Sequence, residues 1–142
     1  MAIVVFYDSL CSVCNYWVNW ILENDSNGVF YFAALESDFT IEFSQHYNYE
    51  FPQETIVVWD KDAGFLKKSD AVVFILHALR PTSFQLKILR LFPKLARDIG
   101  YSTFAYFRRY LQVGKCKLPL PEYKKRFLSD ISFQDFIKKK KD

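Results

Sequence analysis

Two cysteines three residues apart, Cys11 and Cys14, stand in the stretch "FYDSLCSVCNYW", and an acidic residue, Asp8, precedes them by three. A C-x-x-C pair has three chemical readings. It can cycle between dithiol and disulfide, supply half of a metal site, or be two small buried residues. Position bears on the choice. The run "AIVVFY" (Ala2–Tyr7) is continuous, apolar and rich in β-branched residues, which predicts a strand buried on both faces. After "DSL" the pattern changes, and Cys14, Trp17, Val18, Ile21 and Leu22 recur at spacings of three and four. This predicts an amphipathic helix that starts near Cys11 and stops before Asn27-Gly28. The pair then lies at the first turn of a helix, where unpaired N–H groups and a partial positive charge stabilise a thiolate. The thiolate is the attacking species in disulfide exchange. Cys11, the outer residue, is the expected nucleophile, and Cys14, a turn deeper, the resolving thiol.

A structural zinc site needs two more ligands, and His46, His77 and Cys116 are scattered over segments of different character. The context of strand, break and helix favours the redox reading over zinc, an iron–sulfur cluster or two inert thiols. No cofactor is called for. Asp8 has two compatible roles, shaping or capping the helix start and accepting a proton as Cys14 resolves a mixed disulfide.

The elements that must position these residues follow in order. "VFYFAAL" (Val29–Leu35) predicts a second strand, "ESDFTIEFSQHY" a helix, "ETIVVWD" (Glu54–Asp60) a third strand, and "KDAG" a turn into a short fourth strand "FLKK". Ser69 is expected to cap the nearly all-apolar helix "SDAVVFILHALR". Strand, helix, strand, helix, hairpin, helix is the order of a thioredoxin-like α/β fold, a mixed sheet flanked by helices. Residues 81–142 read as a helical extension packed on a core of residues 1–80, within one domain.

Three blocks of the sequence resemble one family. "YDSLCSVC" is similar to the D-x-x-C-x-x-C opening of the DCC family of predicted thiol-disulfide oxidoreductases, with Asp8, Cys11 and Cys14 in the matching places. "KKSDAVVFILHAL" resembles its Ser-Asp-Ala helix, and "LFPKLARDIGYSTFAYFRRYL" its later pattern of Pro, Leu, Asp, Tyr and Arg-Tyr. The resemblance spans Val4 to Pro119. It implies a fold similar to thioredoxins and glutaredoxins, and a thiol or disulfide substrate, either protein or glutathione-like. It also implies a weaker role for Ser69 and Asp70, since glutaredoxins use a Ser-Asp pair at a similar point to hold part of glutathione.

Two departures stand out. Family members commonly carry Gly-Asp where this chain has Ser9-Leu10. The loss of that acid beside Cys11 is expected to lower its thiol pKa relative to relatives that keep it. Thioredoxin-like proteins also place a cis-proline before the third strand. Here Pro52 comes too early and Thr55 holds the position, leaving backbone near Thr55 to pair with an extended substrate.

Composition narrows the rest. Net charge is only +3 in 142 residues, with 51% hydrophobic residues, so a packed core is expected and a nucleic-acid partner is not. The basic end, "YKKRF" and "KKKKD", reads as a solvated, frayed tail. Arg108 and Arg109 read as a solvated helix face. No eighteen-residue apolar run and no cleavable leader pattern occur, which predicts no membrane span and a cytoplasmic protein. Oligomeric state is not legible. A different class of function also fits, a non-catalytic protein- or peptide-binding module on the same scaffold, using an aromatic surface.

Overall fold

A computed structural model describes residues 2–9, 12–52, 55–107, 110, 121–129 and 131–141. Leu10, Cys11, Arg108, Arg109 and Cys116 lie outside the described residues. Among the described residues four strands form one sheet: β1 (Ile3–Tyr7), β2 (Phe30–Ala34), β3 (Val57–Asp60) and β4 (Gly64–Lys67). They are ordered β2-β1-β3-β4. The central strand β1 runs parallel to β2, with Val5 opposite Phe32, and antiparallel to β3, with Val5 opposite Val58. β3 and β4 form a hairpin that pairs Trp59 with Phe65, and Gly64 supplies its left-handed backbone (φ 74).

Helix α1 (Ser12–Asn24) joins the two parallel strands, and α2 (Asp38–Tyr47) follows β2. Ser37 caps α2 by accepting from the Thr40 N–H. α3 (Lys68–Leu79) follows the hairpin. Then come α4 (Phe84–Leu91), α5 (Lys94–Phe107), a 3-10 helix (Pro121–Arg126) and α6 (Phe133–Lys141). This is a mixed α/β fold of the thioredoxin-like kind.

Because β1 is buried on both faces, its side chains feed two cores alternately. Ile3, Val5 and Tyr7 point to one, with Cys14, Val18, Ile21 and Leu22 of α1 and Ala71 and Ile75 of α3. Val4 and Phe6 point to the other, with Phe39, Phe43, Trp59, Phe133 and Phe136. Burial of a large side chain contributes about 1.5–3 kcal/mol, so each face is a substantial part of the stability.

The C-terminal segment corrects one expectation. It is not a frayed tail. The Leu128 N–H donates to the Phe32 carbonyl at 2.7 Å, next to a parallel bridge between Phe32 and Phe127. Phe133 and Phe136 are buried against α2. Lys124, Lys125, Lys138 and Lys139 are exposed, while Phe127, Leu128, Phe133 and Phe136 dock. Within "YKKRF", Arg126 reaches Asp25, whose side chain is only 2% exposed, at 2.9 Å. Asp25 also accepts from the Val29 and Phe30 N–H groups, so the loop that enters β2 is tied to the C-terminal segment. Gly28 is left-handed (φ 67), and a Cβ there would stand 3.1 Å from the Arg126 guanidinium. Its lack of a side chain makes room for the ion pair.

Ser69 supplies a second correction. The chain enters α3 through Lys67, which makes no side-chain cap, and Lys68 in a left-handed conformation (φ 54). Ser69 therefore sits inside the first turn, buried, and its hydroxyl is used on α5 instead.

Candidate active site

Cys14 lies in the first turn of α1 and is buried, 4% exposed. Its position follows from β1, whose apolar run ends at Tyr7 and delivers the chain to the end of the sheet beyond the central strand. Asp8 and Ser9 make the turn. The turn is held on both sides: Asn15 Nδ2 donates to the Ser9 carbonyl at 2.9 Å, and the Ser9 hydroxyl donates to Glu36 beyond the end of β2. Tyr7 precedes them in the same buried cluster as Cys14, and burial, with Glu36 nearby, pushes its phenol up to about 12.

Beside Cys14 is a small apolar cavity of about 40 Å³. Cys14 and Trp17 of α1 line it, with Ile56 before β3, Val72 and Ile75 of α3, and Tyr101, Phe104 and Ala105 of α5. A thiol in such surroundings loses water on the side that faces the cavity, which makes its ionisation depend on close polar neighbours.

Tyr101 is the residue that sequence reasoning missed. Its hydroxyl accepts from the Thr55 hydroxyl at 2.9 Å and from the Ile56 N–H at 3.3 Å. Thr55 is buried, and the backbone group expected to meet an extended substrate already meets α5. No peptide bond among the described residues is cis. Nothing local marks Tyr101: it stands 46 residues from Thr55, in a helix with three other tyrosines or phenylalanines.

Ser69 and Asp70 also face α5. The Ser69 hydroxyl donates to Asp98, and Asp70 pairs with Lys94 at 3.0 Å and Arg97 at 3.7 Å. Lys94 bridges on to Asp98 at 2.9 Å. The Ser69 hydroxyl and then Lys94 hold the Asp98 carboxyl below its ordinary range, while Asp98 and Asp70 raise the Lys94 ammonium. The structure thus joins Cys14, Thr55, Ser69 and Asp70 through one helix, α5, which covers this end of the sheet. Asp8 lies between the end of β1 and α1. Among the described residues no three metal-ligating side chains converge.

Over residues 5–113 the sequence matches the DCC1-like thiol-disulfide oxidoreductase family. The chain belongs to this family. It is also 30% identical over 128 residues to the uncharacterized protein YuxK of Bacillus subtilis (strain 168), covering 88% of this chain and 93% of that protein. No solved structure matches it. The match runs from Val5 within β1 through Cys14 and the other three strands to α5, so it includes the residues that line the cavity beside Cys14. Among the described residues no helix is long and apolar enough to cross a membrane.

Proposed function

We propose that the protein exchanges dithiol for disulfide through Cys11 and Cys14. In the reducing direction the Cys11 thiolate attacks one sulfur of a substrate disulfide. A mixed disulfide forms and the first substrate thiolate leaves. The Cys14 thiolate then attacks the Cys11 sulfur, which releases the second substrate thiolate and leaves a Cys11–Cys14 disulfide. Two electrons pass from the protein to the substrate, and the two Cys protons end on the two substrate thiols. In the oxidising direction the same steps run backward.

The observation that carries the reading is the placement of Cys14. It is buried at the first turn of the helix that follows β1, in a chain of the thiol-disulfide oxidoreductase family. A sheltered thiol suits resolution from within better than attack on a bulky substrate. Asp8 on the adjoining turn serves as its proton acceptor, and Asp8→Asn should slow resolution while leaving the first attack intact. The substrate is a thiol or disulfide, of protein or of glutathione type, and the chemistry requires no cofactor. Thr55, Ser69 and Asp70 contribute to its binding only through surfaces that α5 leaves or yields. Residues 81–142 act as an extension of the 1–80 core, an assignment supported by α5 on α3 and α6 on α2. A cytoplasmic location suits a pair that must be returned to the dithiol form.

Equilibration with glutathione and dithiothreitol buffers tests the proposal. A two-electron couple is expected between roughly −120 and −300 mV, with disulfide reduction lost in Cys11→Ser. A pair that never forms a disulfide in this range leaves only a binding role for the scaffold.

A further inference from the structure

Helix α5, which lines the cavity beside Cys14, and its neighbour α4 carry a run of exposed large apolar residues. On α4, Leu86 is buried while Phe84, Ile88 and Leu91, spaced along one face, are 73%, 40% and 82% exposed. On α5, Tyr101 and Ala105 turn toward Cys14, whereas Leu95 and Ile99, one turn apart, are 74% and 59% exposed. Both helices pack on α3, so the opposite faces of both are the ones left open. Single exposed apolar residues are ordinary, but a run of large ones on consecutive helices marks a surface made to be covered.

Charge identifies the cover. Lys94 and Arg97 of α5 are paired with Asp70 and Asp98, so the cations that this face offers are Lys87 and Arg90 of α4, both exposed. Two copies meeting through this face would bring like charges together. An anionic bilayer surface instead offers acyl chains to Phe84, Leu91 and Leu95 and headgroups to Lys87 and Arg90. Large apolar side chains flanked by basic ones, on helices too short to span, are the pattern of an interfacial helix.

We infer that the α4–α5 face docks the protein on anionic membranes, with the apolar faces of the two helices laid in the headgroup region and Cys14 beneath the inner side of α5. The inference is independent of the redox reading, since it uses none of the thiol chemistry.

Co-sedimentation of the full chain with vesicles tests it. One set contains phosphatidylcholine alone and the other phosphatidylcholine with phosphatidylglycerol. Binding to the anionic set is expected, weakened by salt, with near-background binding to the neutral set. Lys87→Gln and Arg90→Gln should each weaken it about fivefold. The double variant Leu91→Asp, Leu95→Asp should abolish it, and circular dichroism should show an unchanged fold because both side chains are largely in water already. Three results would each overturn the inference: no binding to anionic vesicles, binding unchanged by the leucine pair in a folded protein, or a dimer in solution that the leucine pair dissociates.

Discussion

The two faces of the sheet are covered in different ways. On one face rings pack on rings. Phe43 is fully buried and its ring centroid lies 5.1 Å from that of Phe6, 5.2 Å from Trp59 and 5.4 Å from Phe133. Helix α6 joins this cluster by burying Phe133 and Phe136. On the Cys14 face α5 buries none of its residues fully. It is held by Tyr101 on Thr55 and Ile56 and by the Ser69, Asp70, Lys94, Asp98 network. Apolar burial scales with area and depends little on pH, whereas hydrogen bonds and exposed ion pairs are modest and condition-dependent. The aromatic face thus fixes the fold, and the cover of the Cys14 face is attached by contacts that can be released one at a time.

The largest effect should come from breaking the aromatic face. Phe43→Ala is expected to cost about 3–5 kcal/mol, seen as a lower urea midpoint, while thiol exchange per folded molecule stays unchanged. Next comes the tie between the C-terminal segment and the sheet. Arg126→Met leaves the buried Asp25 carboxylate without its guanidinium and should cost about 3 kcal/mol. Hydrogen exchange should quicken first over residues 121–141.

On the Cys14 face the effects are smaller but reach the site. Tyr101→Phe removes the acceptor for the Ile56 N–H and should cost about 1–3 kcal/mol. Alkylation of Cys14 should accelerate in the same variant, and it should not in Phe43→Ala under native conditions. The smallest effect is in pH. The folded Asp98 carboxyl is held below its ordinary value of 3.8, so it favours folding above that value and loses this contribution as pH falls through the lowered one. Trp17 lines the cavity, and its fluorescence should change as the solution is acidified below about pH 4, ahead of global unfolding.

Much of this layout was readable in advance where the signal is local. The apolar run of β1, the three-and-four spacing of α1 and the glycine of the β3–β4 turn each specify their own conformation within a few residues. What escaped reading depends on distant partners. "SD" at positions 69–70 looks like a helix cap, but left-handed Lys68 starts the helix earlier and Ser69 bonds to a residue 29 positions away. Phe133 and Phe136 have helical spacing, yet the lysines after them make the segment resemble a solvated tail. Tyr101 looks like any aromatic in an amphipathic helix until the sheet places Ile56 beneath it. The exposed row of α4 and α5 was hidden because the stretch reads only as a helical extension, and which face stays open depends on the packing of both helices on α3.

The division of labour between the two thiols is the central claim, and trapping tests it most directly. Cys14→Ser, mixed with an excess of a small aromatic disulfide, should accumulate one substrate adduct on Cys11, visible by mass spectrometry of the tryptic peptide. Cys11→Ser should form none at a comparable rate. An adduct that forms on Cys14 in the Cys11→Ser protein as fast as on Cys11 in the Cys14→Ser protein would contradict the account.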